Sequence, residues 1–375
     1  MNTIVTAADP ADFLRLVPRL IGFRPARSVV AIPFAGTRSL GAVRFDLPDH
    51  DVESFAATSL GILCRIPDAT AVAWVVYTDE PFAAHLDDAL PHRDLMTAIE
   101  RCANACGIKV HDALCVASDA WGSYLDPACP PSGWPLSDLV DPRGEIDDGP
   151  QFSLPGADPA EVSAVADALK ALDAAVRVLC GDGPGSSFGR AASYASLERV
   201  DPSALAAATA LDDLPTFFED ALLAEARSAE VFDTALLAWC FARPMLRDVA
   251  LSQWCLGLGA GDELLEAELR HREGEHYPAR LARHMWGEGE RPDPARLNAV
   301  LSTTTRVAAL TTGTSRAGAL AVAAWSSWAL GRSSQAAFYA RLALEEVPEY
   351  GLAEIVLAFT SAGHLPDWAF RRAAA

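Results

Sequence analysis

The 375-residue sequence predicts an α/β N-terminal domain over residues 1–156, a mixed sheet with a β-hairpin and flanking helices. An all-α C-terminal domain over residues 157–375 comes after it. Three observations predict this. Two apolar runs around Gly36 read as a hairpin, the runs Thr70–Tyr77 and Val110–Ala117 flank a helical stretch, and every segment after Asp158 has helical period. Strands alternating with helices argue for a sheet with helices packed on it.

Residues 10–21 (PADFLRLVPRLI) place Phe13, Leu16, Val17 and Leu20 on one helical face, interrupted at Pro18. The hairpin strands are Ser28–Phe34 and Leu40–Leu47. Pro33, late in the first, predicts an edge strand or an early end to pairing. Residues 51–65 present Val52, Phe55, Leu60 and Leu63 on a helical face, and Pro81 opens a helix that runs, with a break at Pro91, to about Cys106. From Trp121 to Gly156, prolines at 127, 130, 131, 135, 142, 150 and 155 argue against a long helix or a central strand, so an extended loop and linker are expected.

Beyond the linker, Val162, Val165, Leu169, Leu172, Val176 and Leu179 form one stripe, and later helices are punctuated by Pro215, Pro244, Pro278, Pro292 and Pro348. Gly331, Ala336, Ala343 and Pro348 stand at the spacings of the second helix of a tetratricopeptide-like hairpin, where small residues let two helices approach. One such unit is legible. An array needs about three, so an ordinary helical hairpin fits the same residues.

Composition bounds the function. With 51% hydrophobic and 21% charged residues the chain is globular. No apolar run reaches the ~18 residues that span a bilayer, and Asp9 and Asp12 precede any apolar block. Eight cysteines scattered through apolar segments read as buried free thiols. A cytoplasmic protein without membrane attachment is expected. The net charge of −20 opposes non-specific binding of nucleic acid.

Inside this acidic chain, Phe13–Phe45 carries Arg15, Arg19, Arg24, Arg27, Arg38 and Arg44 and no acidic residue. Guanidinium forks suit phosphate or carboxylate, and Arg24 and Arg27 beside the N–H of Ser28 supply what an anion site needs. Pairing with the 50 acidic side chains is the competing reading. The segment 121–136 collects Trp121, Tyr124, Cys129 and Trp134, either an aromatic binding surface or aromatics packed over a sheet edge. The expected pocket lies between the Gly22–Ser28 turn and this segment, with Arg24, Arg27, Ser28, Trp121, Tyr124 and Cys129 as its ligand-binding residues.

No catalytic set, cofactor site or metal site is read. Cys102 and Cys106, with His111 and Cys115 beyond, lack tight zinc-ligand spacing, and His271, His276 and His284 lack the His-Glu-x-x-His pattern and read as solvated helix ends. The glycine-rich Gly181–Ser187 comes after a helix and lacks the lysine of a phosphate loop, so it reads as a helix stop.

The opening helix, the segments LIGFRPARSVV (20–30) and VRFDLP (43–48), Trp121 with Ser123 and Tyr124, and CPPSGWPL (129–136) together resemble the actinobacterial "domain of unknown function 4192" family. The Gly331–Tyr350 hairpin is similar to that family's C-terminal end. The resemblance spans nearly the whole chain and implies no established activity. The family pattern is loose at Arg24, Ala26 and Arg27, which speaks against a catalytic role for either arginine. Its additional cysteines around the Pro-Pro element are replaced here by Asp126 and a single Cys129, which speaks against a metal or disulfide there. The expectation is an uncharacterised intracellular protein with a non-enzymatic interaction or regulatory role, its protein partner held by the C-terminal helices. The alternative is a small-molecule binding protein or enzyme taking an anionic ligand in the α/β domain.

Overall fold

A computed structural model describes residues 7–21, 23–82, 90–141, 144, 152–180, 200–223 and 230–371. The chain forms two compact units, Met1–Gln151 with Phe370–Ala375, and Phe152–Ala369.

The first unit runs α1 (Pro10–Ile21), β1 (Ser28–Ala35), β2 (Arg38–Ser39), β3 (Val43–Asp46), α2 (Val52–Cys64), β4 (Ala71–Tyr77), α3 (Arg93–Cys106), β5 (Lys109–Val116), β6 (Ala120–Ser123) and β7 (Trp134–Pro135). The sheet order is β2-β1-β4-β5-β6-β7, with β3 also on β1. Among the described strands only β4 and β5 pair in parallel, and the connection between them, which includes α3, is long enough for the crossover that a parallel pair needs. Alternate side chains enter two cores. Val30, Ile32, Val75 and Leu114 pack with Leu14 and Val17 of α1. Val29, Ala31, Trp74, Val76 and Cys115 pack with Leu60 and Leu63 of α2 and with Met96 and Ile99 of α3.

Three expectations are corrected by this sheet. Helix α1 continues through Pro18 to Ile21, since proline's fixed φ is helical and its ring removes one hydrogen bond near the end of a short helix. Strand β1 is interior, paired with β4 on one side and with β2 and β3 on the other. The Pro33 carbonyl accepts from the Leu40 N–H at 2.8 Å. Its ring nitrogen therefore faces the same side, at the break where pairing passes from β3 to β2 and away from β4, so the ladder with β4 loses no donor. Residues 120–123 form the interior strand β6 between β5 and β7. The prolines of this region begin at 127 and leave that stretch free to pair, while Pro135 sits on the edge strand β7.

The register of β4 with β5 shifts between Val72 and Ala73, whose partners are Val110 and Asp112. His111 is thus the extra residue of a β-bulge. Val110 packs toward the α2–α3 core, and the bulge turns Asp112, like Leu114 two residues on, to the α1 face.

The second unit comprises α4 (Pro159–Cys180), α5 (Pro202–Thr209), α6 (Leu214–Leu223), α7 (Val231–Phe241), α8 (Pro244–Leu256), α9 (Leu258–Arg272), α10 (Pro294–Leu310), α11 (Gly313–Ala329), α12 (Ser333–Glu346) and α13 (Gly351–Ser361), with a 3₁₀ segment at Ala279–Trp286. Helix α11 is buried from Ala317 to Ala329. It forms an antiparallel pair with α12 across the turn at Gly331, whose φ of 79° suits glycine, and Ala336 and Ala343 are buried where the helices meet. The glycine-rich stretch 181–187 lies outside the described residues.

Candidate functional site

Strand register sets the site. Asp46 pairs with Ser28, Ser28 with Tyr77, Tyr77 with Val116, Val116 with Trp121, and Trp121 with Trp134. One row therefore crosses the sheet at the C-terminal ends of the parallel strands β4 and β5, where open α/β sheets bind ligands. Directly paired residues share a face, and Tyr77 and Trp121 lie in the α1 core.

Among the described residues, three side chains of this row bury polar atoms that have no hydrogen-bond partner: Ser28 Oγ, Tyr77 Oη and Trp121 Nε1. Their residues are 0%, 6% and 5% exposed. An unsatisfied buried polar group costs about 1–3 kcal/mol, so three in one row is an expensive arrangement. Burial pushes the Tyr77 hydroxyl well above the usual phenol range, against the opposing pull of the Arg24 charge. The hydroxyl stays protonated and can donate. Trp121 packs on Trp134 with ring centroids 4.6 Å apart. The turn before β7 needs Gly133, at φ 70°, where any side chain would strike Ala120 and the Trp121 carbonyl.

Four arginines of the basic stretch meet carboxylates. Arg15 pairs with Asp12, Arg19 with Asp141 at 2.7 Å, and Arg44 with Asp46 at 2.8 Å. Arg27 stands at the same end of the sheet as Ser28, in the left-handed region at φ 43°, with an exposed pairing to Asp49 at 3.6 Å.

Tyr124 and Cys129 lie on the opposite face, away from Ser28 and Trp121. The Tyr124 hydroxyl donates to the Pro91 carbonyl at 2.6 Å, and Arg93 donates to the Tyr124 carbonyl at 2.9 Å. Cys129 abuts Gly122, where a Cβ would stand 2.8 Å from the sulfur. Burial raises the Cys129 thiol and pushes Cys115, which shares a hydrogen bond with Tyr124, up to about 12. Thiols held neutral are poor nucleophiles. The six expected residues thus divide: Arg24, Arg27, Ser28 and Trp121 share one end of the sheet, and Tyr124 and Cys129 pack behind it.

Beside that second group, His92 Nε2 lies 3.0 Å from Thr78 Oγ1 and 3.8 Å from a Glu80 carboxylate oxygen. Among the described residues no group of three His, Cys, Asp or Glu side chains is placed to hold a metal. His284, expected at a solvated helix end, is 4% exposed instead, with Nε2 2.8 Å from Ser252 Oγ. Burial lowers it to about 4.

Sequence reading missed Tyr77, which ends an apolar run and looks like one more core residue. It missed the facing of Asp112 too. The adjacent polar pair His111-Asp112 inside an apolar strand was the available signal, since strict alternation allows one of them inward and a bulge can re-aim the other.

Fold and site define a class: a mixed-sheet α/β unit with a buried polar row at the ends of its parallel strands, succeeded in the chain by an all-helical unit. Within that class, the chain belongs to the family described as "Domain of unknown function (DUF4192)", whose model matches residues 10–367. Neither a curated protein nor a solved structure matches it. No helix among the described residues is long and apolar enough to cross a membrane.

Proposed function

We propose that this protein acts by binding rather than by catalysis, and that its α/β unit takes a small anionic molecule at the C-terminal ends of β4 and β5. The carrying observation is the row of buried, unpartnered Ser28, Tyr77 and Trp121 polar atoms. A tryptophan N–H can only donate, and the serine and tyrosine hydroxyls can donate as well. A ligand rich in acceptor oxygens, a carboxylate or a phosphate ester, satisfies all three. Arg24, whose charge reaches Tyr77, supports the same sign. Adjacent strands lie about 4.8 Å apart, so the backbones at Tyr77 and Trp121 are separated by about 10 Å. That span suits a metabolite-sized molecule better than a single inorganic ion.

Thermal-shift screening of the full chain with carboxylates, sugar phosphates and nucleotides tests this. A ligand at about 100 times its Kd adds about 2.7 kcal/mol of stability. Tyr77→Phe and Trp121→Phe are expected to lose that rise. Tyr77→Phe is further expected to melt no lower than wild type without ligand, because it deletes an unsatisfied hydroxyl. The proposal fails if no anion raises the melting temperature, or if the rise survives both substitutions.

A protein partner on the helical unit is the second reading. Trp286 supports it, being 52% exposed and 5.7 Å from the Phe359 ring, with Ile355 exposed one turn before Phe359 on α13. A partner captured by the full chain should be lost with Trp286→Ser. Capture unchanged by that substitution counts against this surface.

A further inference from the structure

The α1 face carries a second feature at the far end of the sheet, separate from the polar row. A cavity of about 340 Å³ lies between the start of α1, the turn at Gly36 and the bulge of β5. Its wall is largely apolar. The Phe13 and Phe34 rings line it with centroids 6.4 Å apart, and His111 meets Phe34 edge-on at 5.8 Å. Asp9 and Asp112 bring carboxylates to it, and no lysine or arginine is among its described lining residues.

The bulge gives this cavity its acid. With regular alternation after Val110, Asp112 would enter the α2–α3 core among Trp74, Val76 and Ile99. The extra residue His111 turns it to the α1 face instead, where the cavity is. There the carboxylate accepts from the Ala113 N–H at 2.8 Å, and burial raises it above the usual carboxylate range despite that bond and one from Ser123. A half-buried carboxylate on an apolar wall is a costly group unless a cation meets it.

The start of α1 does not favour an anion here. Pro10 has no N–H, the Asp12 N–H donates to Asp9 Oδ1 at 2.7 Å, and the Phe13 N–H donates to the Asp9 carbonyl at 3.0 Å. Two aspartates and two phenyl rings lining one cavity are the complement of an organic cation, through ion pairing and attraction to the ring quadrupole. The net charge of −20 also concentrates cations at the surface.

We propose that this cavity binds a small organic ammonium compound, its charged nitrogen between Asp112 and Asp9 and its apolar body against Phe13 and Phe34. The site goes beyond the anion site and does not depend on it.

Benzylamine, benzyl alcohol and benzoate share one shape and differ in charge, so calorimetric titration of the full chain with each reads the charge preference directly. Benzylamine is expected to bind at least about 10-fold more tightly than benzyl alcohol, a difference of about 1.4 kcal/mol, with no binding of benzoate. Asp112→Asn should shrink the amine-to-alcohol ratio to within about 3-fold. Asp9→Asn keeps the helix cap, since asparagine caps as well as aspartate, and should reduce the ratio by a smaller factor. If Asp112→Asn does not fold, Asp9→Asn carries the comparison. Tyr77→Phe should leave amine binding unchanged. The proposal is overturned if the alcohol binds as tightly as the amine, if benzoate is preferred, or if the amine preference survives in the charge-removed variants. Amine-induced chemical-shift changes that bypass the Phe13 and Phe34 rings would overturn it equally.

Discussion

Single side chains define the sites proposed for the α/β unit, and each is costly where it stands. Asp112 is one case. Burial raises its folded pKa above the usual 3.8, so between those two values the folded state binds more protons than the unfolded one. Stability is therefore lost as pH rises through that window. Asp112→Asn is expected to melt higher than wild type at pH 7, with the gap closing near about pH 3, where both states hold the proton. Melting curves at the two pH values check this, and an equal gap at both would contradict it. Neither Asp112 nor Tyr77 was legible as a site residue. A residue's cost depends on its surroundings, and the neighbours of Tyr77 (Ser28 across the ladder and Arg24 nearby) lie about fifty positions away in sequence. The arginine-rich stretch was legible by composition, yet the partners of Arg19 and Arg27, Asp141 and Asp49, are carboxylates that only folding brings near.

Elements obey local rules until they meet. The strand runs at β1, β4 and β5 and the helical stripe of α4 are written in period and β-branching, and the structure forms them there. Departures come where a neighbouring element overrides local expectation: Pro33 inside an interior strand, and Ala120–Ser123 pairing just ahead of the prolines. Helix α11 shows the same dependence on a partner. An alanine Cβ at Gly318 would collide with the carbonyl of Phe241, the last residue of α7. Glycine is therefore required by close approach to another backbone, within a helix where it otherwise costs about 1 kcal/mol relative to alanine. Gly318→Ala should reverse the usual helix-propensity gain and destabilise by about 1–3 kcal/mol as overpacking. Urea unfolding measures it, and a stabilised variant would show that α7 and α11 do not cross here.

At the scale of the molecule, stability against acid reflects opposed buried groups in the helical unit. His284 holds a folded pKa of about 4 against the usual 6.5. Within that window the unfolded chain binds more protons, so stability falls as pH drops, by about 3 kcal/mol at most. Asp248 and Glu268 are raised by burial and act in the other direction. His284→Gln isolates the first effect: wild type should lose more melting temperature than the variant between pH 7 and pH 5. Equal losses would mean that His284 is solvated, as its place in the sequence predicts.

The sequence by itself determined the kind and order of most elements, the change from alternating to helical period beyond residue 158, the overall charge and the family, because each is encoded within a few residues or in bulk composition. Tertiary structure alone decided which polar side chains share a row and which face each one takes. Register is fixed by pairing between strands far apart in the chain, and a one-residue bulge reverses the facing of the residues beyond it. Pairing of that kind separates Trp121 from Tyr124, and the bulge brings Asp112 to the α1 face.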